Sequence, residues 1–158
     1  MSGSLKQVLL FSDGACLGNP GPGGYGVILG YGAHRRELSG GFRLTTNNRM
    51  ELTAAIKGLD ALKERCAVRL VSDSEYLLNS IEKRWVFGWR TRGWRRQGKP
   101  VPNADLWLEM LRLIEFHELT VEWVRGHAGH PENERCDVLA RTAASGTDLP
   151  ADVGYESL

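Results

Sequence analysis

Cysteine is scarce in this sequence: Cys16, Cys66 and Cys136 form no CxxC pair and, being three, cannot all be paired within one chain. That usage fits a reducing compartment better than a disulfide framework. Cys66 and Cys136 stand in apolar or helical contexts and read as small buried thiols, and none of the three reads as a nucleophile. Long apolar runs are missing as well. The longest are strand-sized, and Met1-Ser2-Gly3-Ser4 lacks the basic and apolar regions of a signal peptide, so the expectation is a soluble cytoplasmic protein without membrane contact. With 158 residues and 42% hydrophobic content, one self-sufficient domain spanning 1–158 is expected.

An excess of charge of either sign is also lacking, the net value being +1. The distribution is nevertheless uneven. Lys83, Arg84, Arg90, Arg92, Arg95, Arg96 and Lys99 crowd seven basic residues and no acidic one between positions 83 and 99; without them the chain carries −6. Such a split implies a local patch that attracts a polyanion and an acidic surface or site elsewhere.

The run Val8-Leu9-Leu10-Phe11 is apolar without alternation, as in a strand buried on both faces, and is expected to end at Ser12-Asp13. After the turn-rich stretch 17–24, the segments 25–29 and 35–43 read as strands joined by a turn at Gly30 to Ala33, giving an antiparallel meander. Leu52, Ala55, Ile56, Leu59 and Leu62 then mark a helix face, with Thr45 or Thr46 as N-cap and Glu51 in the first turns. A second apolar strand, 67–73, also ends in aspartate. Reached through a helix, it should run parallel to the first, bringing Asp13 and Asp73 to the same carboxyl edge of the sheet. Ser74 or Asp73 caps a further helix, the basic Trp-rich stretch of about 83–102 follows, and Asn103 caps another helix. A strand over 119–125, a loop over 126–132, a helix carrying Asp137 and a tail from about Ser145 complete the chain.

Asp13, Glu51, Asp73 and Asp137 stand at element ends or in first helical turns. Taken singly, each is equally well explained as a helix cap or a solvated charge. Asp13 and Asp73 fit that explanation least, because acids at the ends of buried strands carry a desolvation cost that only a partner or a cation offsets. Hard divalent ions take such oxygen ligands and share them with substrate phosphates. Asp105 instead reads as a residue complementing its helix dipole. His127 lies in the loop entering the helix of Asp137, where an imidazole can move a proton near neutral pH; His130 serves the turn. Trp85 and Trp89 share one helix face beside the arginines, as in surfaces that stack nucleotides and neutralise phosphates, the alternative being core of a small helical subdomain. Trp107 and Trp123 fall in core-like patterns.

Several long motifs occur in order. They are Phe11-Ser12-Asp13-Gly14-Ala15-Cys16-Leu17-Gly18-Asn19-Pro20-Gly21-Pro22-Gly23-Gly24-Tyr25-Gly26, Thr46-Asn47-Asn48-Arg49-Met50-Glu51, Ser72-Asp73-Ser74, and Gly126-His127-Ala128-Gly129-His130-Pro131-Glu132-Asn133-Glu134-Arg135-Cys136-Asp137. Together they resemble bacterial type 1 ribonuclease H nearly end to end. The resemblance implies an α/β, ribonuclease H-like fold with a five-stranded mixed sheet flanked by helices. It implies hydrolysis of the RNA strand of RNA/DNA hybrids by a monomer, with 5′-phosphate and 3′-hydroxyl products. Two Mg²⁺ ions, or Mn²⁺ as substitute, would be held with substrate by Asp13, Glu51, Asp73 and Asp137, and His127 would assist proton movement or product departure.

Hybrid recognition is similarly implied. Backbone groups near Gly14 and Cys16 would approach RNA 2′-hydroxyls, with Asn19, Asn47 and Asn48 alongside. Thr46 beside Asn19 resembles a pocket for a DNA-strand phosphate. The basic stretch resembles the family's handle, with Trp85, Trp89, Arg90, Arg92, Arg95 and Arg96 on the substrate. The likeness departs at Glu75, which stands where family members carry an amide, and in the length of the segment around Arg84 and Gln97. A DNA-directed nuclease or strand-transferase of the same fold would share the acids but not the Gly-rich loop and Thr46-Asn47-Asn48; a non-catalytic hybrid-binding module would not need four carboxylates.

Overall fold

The computed structural model describes residues 4–126 and 129–157. Strands β1 (Lys6–Cys16), β2 (Gly21–Tyr31) and β3 (His34–Thr45) form the expected antiparallel meander. Helix α1 (Asn47–Asp60) leads to β4 (Cys66–Ser72), which pairs in parallel with β1. Then come α2 (Glu75–Glu82), α3 (Trp85–Thr91), the small hairpin of β5 (Arg95–Arg96) and β6 (Lys99–Pro100), and α4 (Ala104–Phe116). Strand β7 (Glu118–Trp123) joins β4 in parallel, and α5 (Pro131–Ala144) and the short α6 (Val153–Glu156) follow. The main sheet has the order β3-β2-β1-β4-β7, a five-stranded mixed sheet as expected.

Thr46 caps α1, its hydroxyl accepting from the Arg49 amide at 3.3 Å, and Ser74 caps α2 in the same way at 3.1 Å. Asn103, by contrast, makes no side-chain cap for α4: its backbone is left-handed, and its amide group spans Arg49 and the Tyr76 hydroxyl. The core lies where α1 and α4 cover one face of the sheet, joining Leu10, Val27, Leu52, Leu70, Trp107 and Met110. At roughly 25 cal/mol per Å² of apolar area, this packing is the main favourable contribution to folding.

Three expectations about packing change. Leu9 is 44% exposed; on its face of the sheet, among the described residues, α5 packs on β1, β2 and β3 but leaves Leu9 open. Strand β1 does not stop at Asp13 either; its ladder with β2 continues to Cys16 opposite Gly23. Trp123 is 48% exposed, since β7 is an edge strand and alternation along it says nothing about what covers it. Helix α5 can lie close on β2 because Gly24 and Gly26 face the Ala140 and Cys136 carbonyls, where a Cβ would collide. That close approach carries Asp137 towards β1.

Residues beyond α5 are not a free tail. The Arg43 amide donates to the Pro150 carbonyl at 2.9 Å, and Asp152 is buried against Thr45 and Arg49.

Candidate active site

Asp13 on β1, Glu51 in α1 and Asp73 immediately after β4 offer carboxylate oxygens that all lie within 4.8 Å of one another. The parallel pairing of β1 and β4 brings the two aspartates together, and α1 supplies Glu51 from above. The Gly14 amide donates to Glu51 Oε1 at 2.9 Å. A Cβ at Gly14 would sit 2.5 Å from the Glu51 amide nitrogen, so glycine there admits the helix to the strand. Asp137 lines the same cleft of about 390 Å³ but stands apart from the trio, held by Arg141 one helical turn on at 2.9 Å.

Burial pushes the Asp13 carboxyl far above the usual carboxylate range, and repulsion from Glu51, Asp73 and Asp137 adds to it. Burial likewise raises Glu51, and the Asp73 charge adds to the shift while the Gly14 amide opposes it. Among the described residues, Glu51 Oε2 is buried without a hydrogen-bond partner. An all-oxygen donor set, an orphaned buried oxygen and mutually repelling acids are what a hard divalent cation relieves. These residues therefore fit a metal ion.

Asn47, Asn48, Ser74, Glu75 and Tyr76 complete the cleft wall. Asn19 accepts from the Asn47 amide at 3.0 Å, tying the loop after β1 to the start of α1. Cys16 is part-buried, its thiol directed at the Gly21 and Thr45 carbonyls at 3.4 Å. His127 lies outside the described residues; Gly126 before it packs so close to Asp73 that a Cβ would be 2.8 Å from the carboxylate.

The handle divides. Trp85 is 44% exposed, lines a cleft with Arg96 and Asn48, and has the Lys83 ammonium 5.4 Å from its ring. Trp89 is buried, its ring edge-on to Trp107 at 6.0 Å, so it packs the core, and it meets the same cleft as Trp85 only at the cleft wall. Arg90 pairs with Glu115 on α4 at 3.2 Å, while Arg92, Arg95 and Arg96 are exposed. Sequence reasoning missed the buried Arg49, which binds Asp105 at 2.7 Å and Asp152 at 2.8 Å; Asp105 is thus an ion-pair partner more than a dipole residue. It also missed His117, whose Nδ1 accepts from the Cys66 amide at 3.1 Å.

The RNase H family model matches residues 5–145. The chain belongs to the ribonuclease H family. It is 61% identical over 151 residues to ribonuclease H of Syntrophus aciditrophicus, covering 95% of this chain and 87% of that one. Against ribonuclease H of Aeromonas salmonicida the identity is 57% over 153 residues, covering 96% and 99%. Among solved structures, LC9-RNase H1, a type 1 RNase H with the type 2 active-site motif, superposes with a TM-score of 0.84 at 36% identity, covering 99% of this chain and 82% of that one. LC11-RNase H1, solved in complex with RNA/DNA hybrid, shares the fold at a TM-score of 0.68 and 21% identity, covering 87% and 96%. Ribonucleases H are metal-dependent nucleases, and this member carries a carboxylate cluster suited to that dependence.

Proposed function

We propose that this ribonuclease H family member hydrolyses the RNA strand of RNA/DNA hybrids, leaving 5′-phosphate and 3′-hydroxyl ends, with Asp13, Glu51, Asp73 and Asp137 as its metal ligands. The observation that carries the reading is the meeting of three carboxylates within 4.8 Å around an unpartnered Glu51 oxygen. Two Mg²⁺ ions, with Mn²⁺ as a substitute, would activate the attacking water and stabilise the leaving 3′ oxygen. The chain's own residues orient the substrate. Gly14 and Cys16 bring backbone close to the RNA strand, where a 2′-hydroxyl can be sensed. Asn19, Thr46, Asn47 and Asn48, clustered by the Asn19–Asn47 hydrogen bond and the Thr46 cap, receive the duplex beside the carboxylates.

Trp85 stacks on the DNA strand, and Arg92, Arg95 and Arg96 neutralise its phosphates, with Arg90 contributing less because Glu115 already holds it. His127 moves a proton at the cleft, a role supported by its place next to Gly126, which abuts Asp73. The hybrid solved with LC11-RNase H1 supports the substrate class. In this reading residues 1–158 form one catalytic domain bearing the handle at about 83–102, and the protein works as a cytoplasmic monomer. Its three cysteines are free, and no described helix is long and apolar enough to cross a membrane.

The test is a gel assay with end-labelled hybrid, duplex RNA and duplex DNA, with and without Mg²⁺. Cleavage confined to the RNA strand of the hybrid, and only with metal, is expected. Metal-dependent cutting of duplex DNA at a comparable rate would contradict the proposal.

A further inference from the structure

Three clefts meet at Asn48. One holds the carboxylates. A second, of about 180 Å³, runs beneath the handle between Tyr76, Trp85 and Arg96. The third, of about 540 Å³, opens on the other side of Asn48, walled by Asn19 and Thr46, by residues 100–103, and by Tyr155. Tyr155 comes from α6, beyond the segment matched to the family model.

Its position is fixed from both sides. Three residues earlier, Asp152 accepts from Arg49 Nε at 2.8 Å and from the Thr45 hydroxyl at 2.6 Å. Gly154 lies against the Asp105 carboxylate and the Arg49 guanidinium with no room for a Cβ. On the other side Glu156 pairs with Arg43 at 2.9 Å. Among the described residues, Asp105, Asp152 and Glu156 around this turn are each held by an arginine, so a polyanion approaching the cleft does not meet those three bare. A turn held this way loses little backbone freedom when something packs on it.

The walls combine apolar Pro100, Val101 and Pro102 with polar Asn19, Thr46 and Asn103. A nucleic-acid backbone presents the matching alternation of apolar sugar faces and anionic phosphates. All three clefts share Asn48 as a wall, and the second and third also share Val101, Pro102 and Asn103. On the hybrid-cleaving reading, a duplex that presents one strand's phosphodiester to the carboxylates would carry its other strand past Asn48 towards the second and third clefts.

We propose that Tyr155 is a substrate-contacting residue whose ring packs on the DNA strand of the hybrid, making the C-terminal turn one bank of a track whose other bank is Trp85. The inference rests on the hybrid-cleaving reading above. Tyr155→Ala should raise KM for hybrid by about five- to fiftyfold, the range of one lost base or sugar contact, with kcat within about twofold. Tyr155→Phe, which keeps the ring, should stay within about threefold of the wild-type KM. Independently of any variant, the full chain without metal, irradiated with a hybrid carrying 5-iodouracil in its DNA strand, should crosslink to the peptide containing Tyr155. The same label in the RNA strand should not.

Unchanged KM in Tyr155→Ala together with no DNA-strand crosslink at that peptide overturns the inference. So does a Tyr155→Phe KM as high as that of Tyr155→Ala. A wild-type chain that leaves hybrid uncut fails the earlier reading, and that outcome is separable because the crosslink requires no cleavage.

Discussion

Arg49 and Asp152, 103 positions apart in the chain, meet as a buried ion pair with nitrogen and oxygen 2.8 Å apart. Asp105 completes the arrangement from α4. The guanidinium lowers Asp105 mainly through its hydrogen bonds; at Asp152 burial pushes upward, but the bonds from Arg49 and Thr45 outweigh it and the carboxyl is held low. A carboxylate with a depressed folded pKa contributes stability that is fully present above its unfolded value, about 3.9, and is lost as pH falls through the folded value. Urea melts should therefore show wild-type stability declining below about pH 4. Asp152→Asn should cost roughly 3 kcal/mol at pH 7, the scale of a broken buried pair, and progressively less as pH falls below about 4 and through the lowered folded value. A loss that stays the same from pH 7 down to the acid limit of folding would contradict the ion-pair account.

The same reasoning with opposite sign applies to the carboxylate cluster. Asp13 is buried among like charges, so without metal it opposes folding at neutral pH. Asp13→Asn should raise Tm in a chelating buffer by a few degrees, about what 1 kcal/mol gives in a domain of this size. Added Mg²⁺ should stabilise the wild type more than the variant, because binding to the folded state alone adds stability. A variant less stable than the wild type in chelator would show that Asp13 is a structural acid.

Glu75 is exposed and adds a fifth carboxylate to the cleft. Its charge lies where substrate phosphates arrive, so Glu75→Gln should lower KM for hybrid by about two- to fivefold at low salt, and less at high salt as screening grows. A raised KM would mean that Glu75 makes a favourable contact.

In the handle, replacing Arg90, Arg92, Arg95 and Arg96 with alanine should flatten the slope of log affinity against log salt by roughly 2 to 4 units. Arg90→Ala alone should change it least, since Glu115 already neutralises that residue. Trp85→Ala should weaken hybrid binding by about 1 to 3 kcal/mol. Trp89→Ala should instead cost about 3 to 5 kcal/mol of stability, because it opens a cavity beside Trp107. An unchanged salt slope in the quadruple variant would leave the basic stretch as a solvated face.

The catalytic edge was legible because strand periodicity and a helical crossover dictate parallel pairing, and parallel pairing alone brings Asp13 to Asp73. Motif order carried Glu51 and Asp137, whose convergence no local pattern specifies. What stayed hidden depends on distant partners. Nothing near Arg49 announces that it will be buried, because its partners lie in α4 and beyond α5. An i, i+4 spacing put Trp85 and Trp89 on one helix face but not on one side of the protein surface; α4 covers Trp89 and leaves Trp85 open. Trp123 shows the same limit for strands, since alternation gives parity while the edge position of β7 decides exposure.

The central claim is that the chemistry depends on the clustered carboxylates, while the handle serves binding. Its most direct test is the single-turnover rate of RNA-strand cleavage at saturating hybrid and Mg²⁺, wild type against Asp13→Asn. The account predicts a loss of at least about a thousandfold with hybrid affinity within a few-fold, since one ligand charge is removed without a change of shape. Cleavage by Asp13→Asn at the wild-type rate would contradict it.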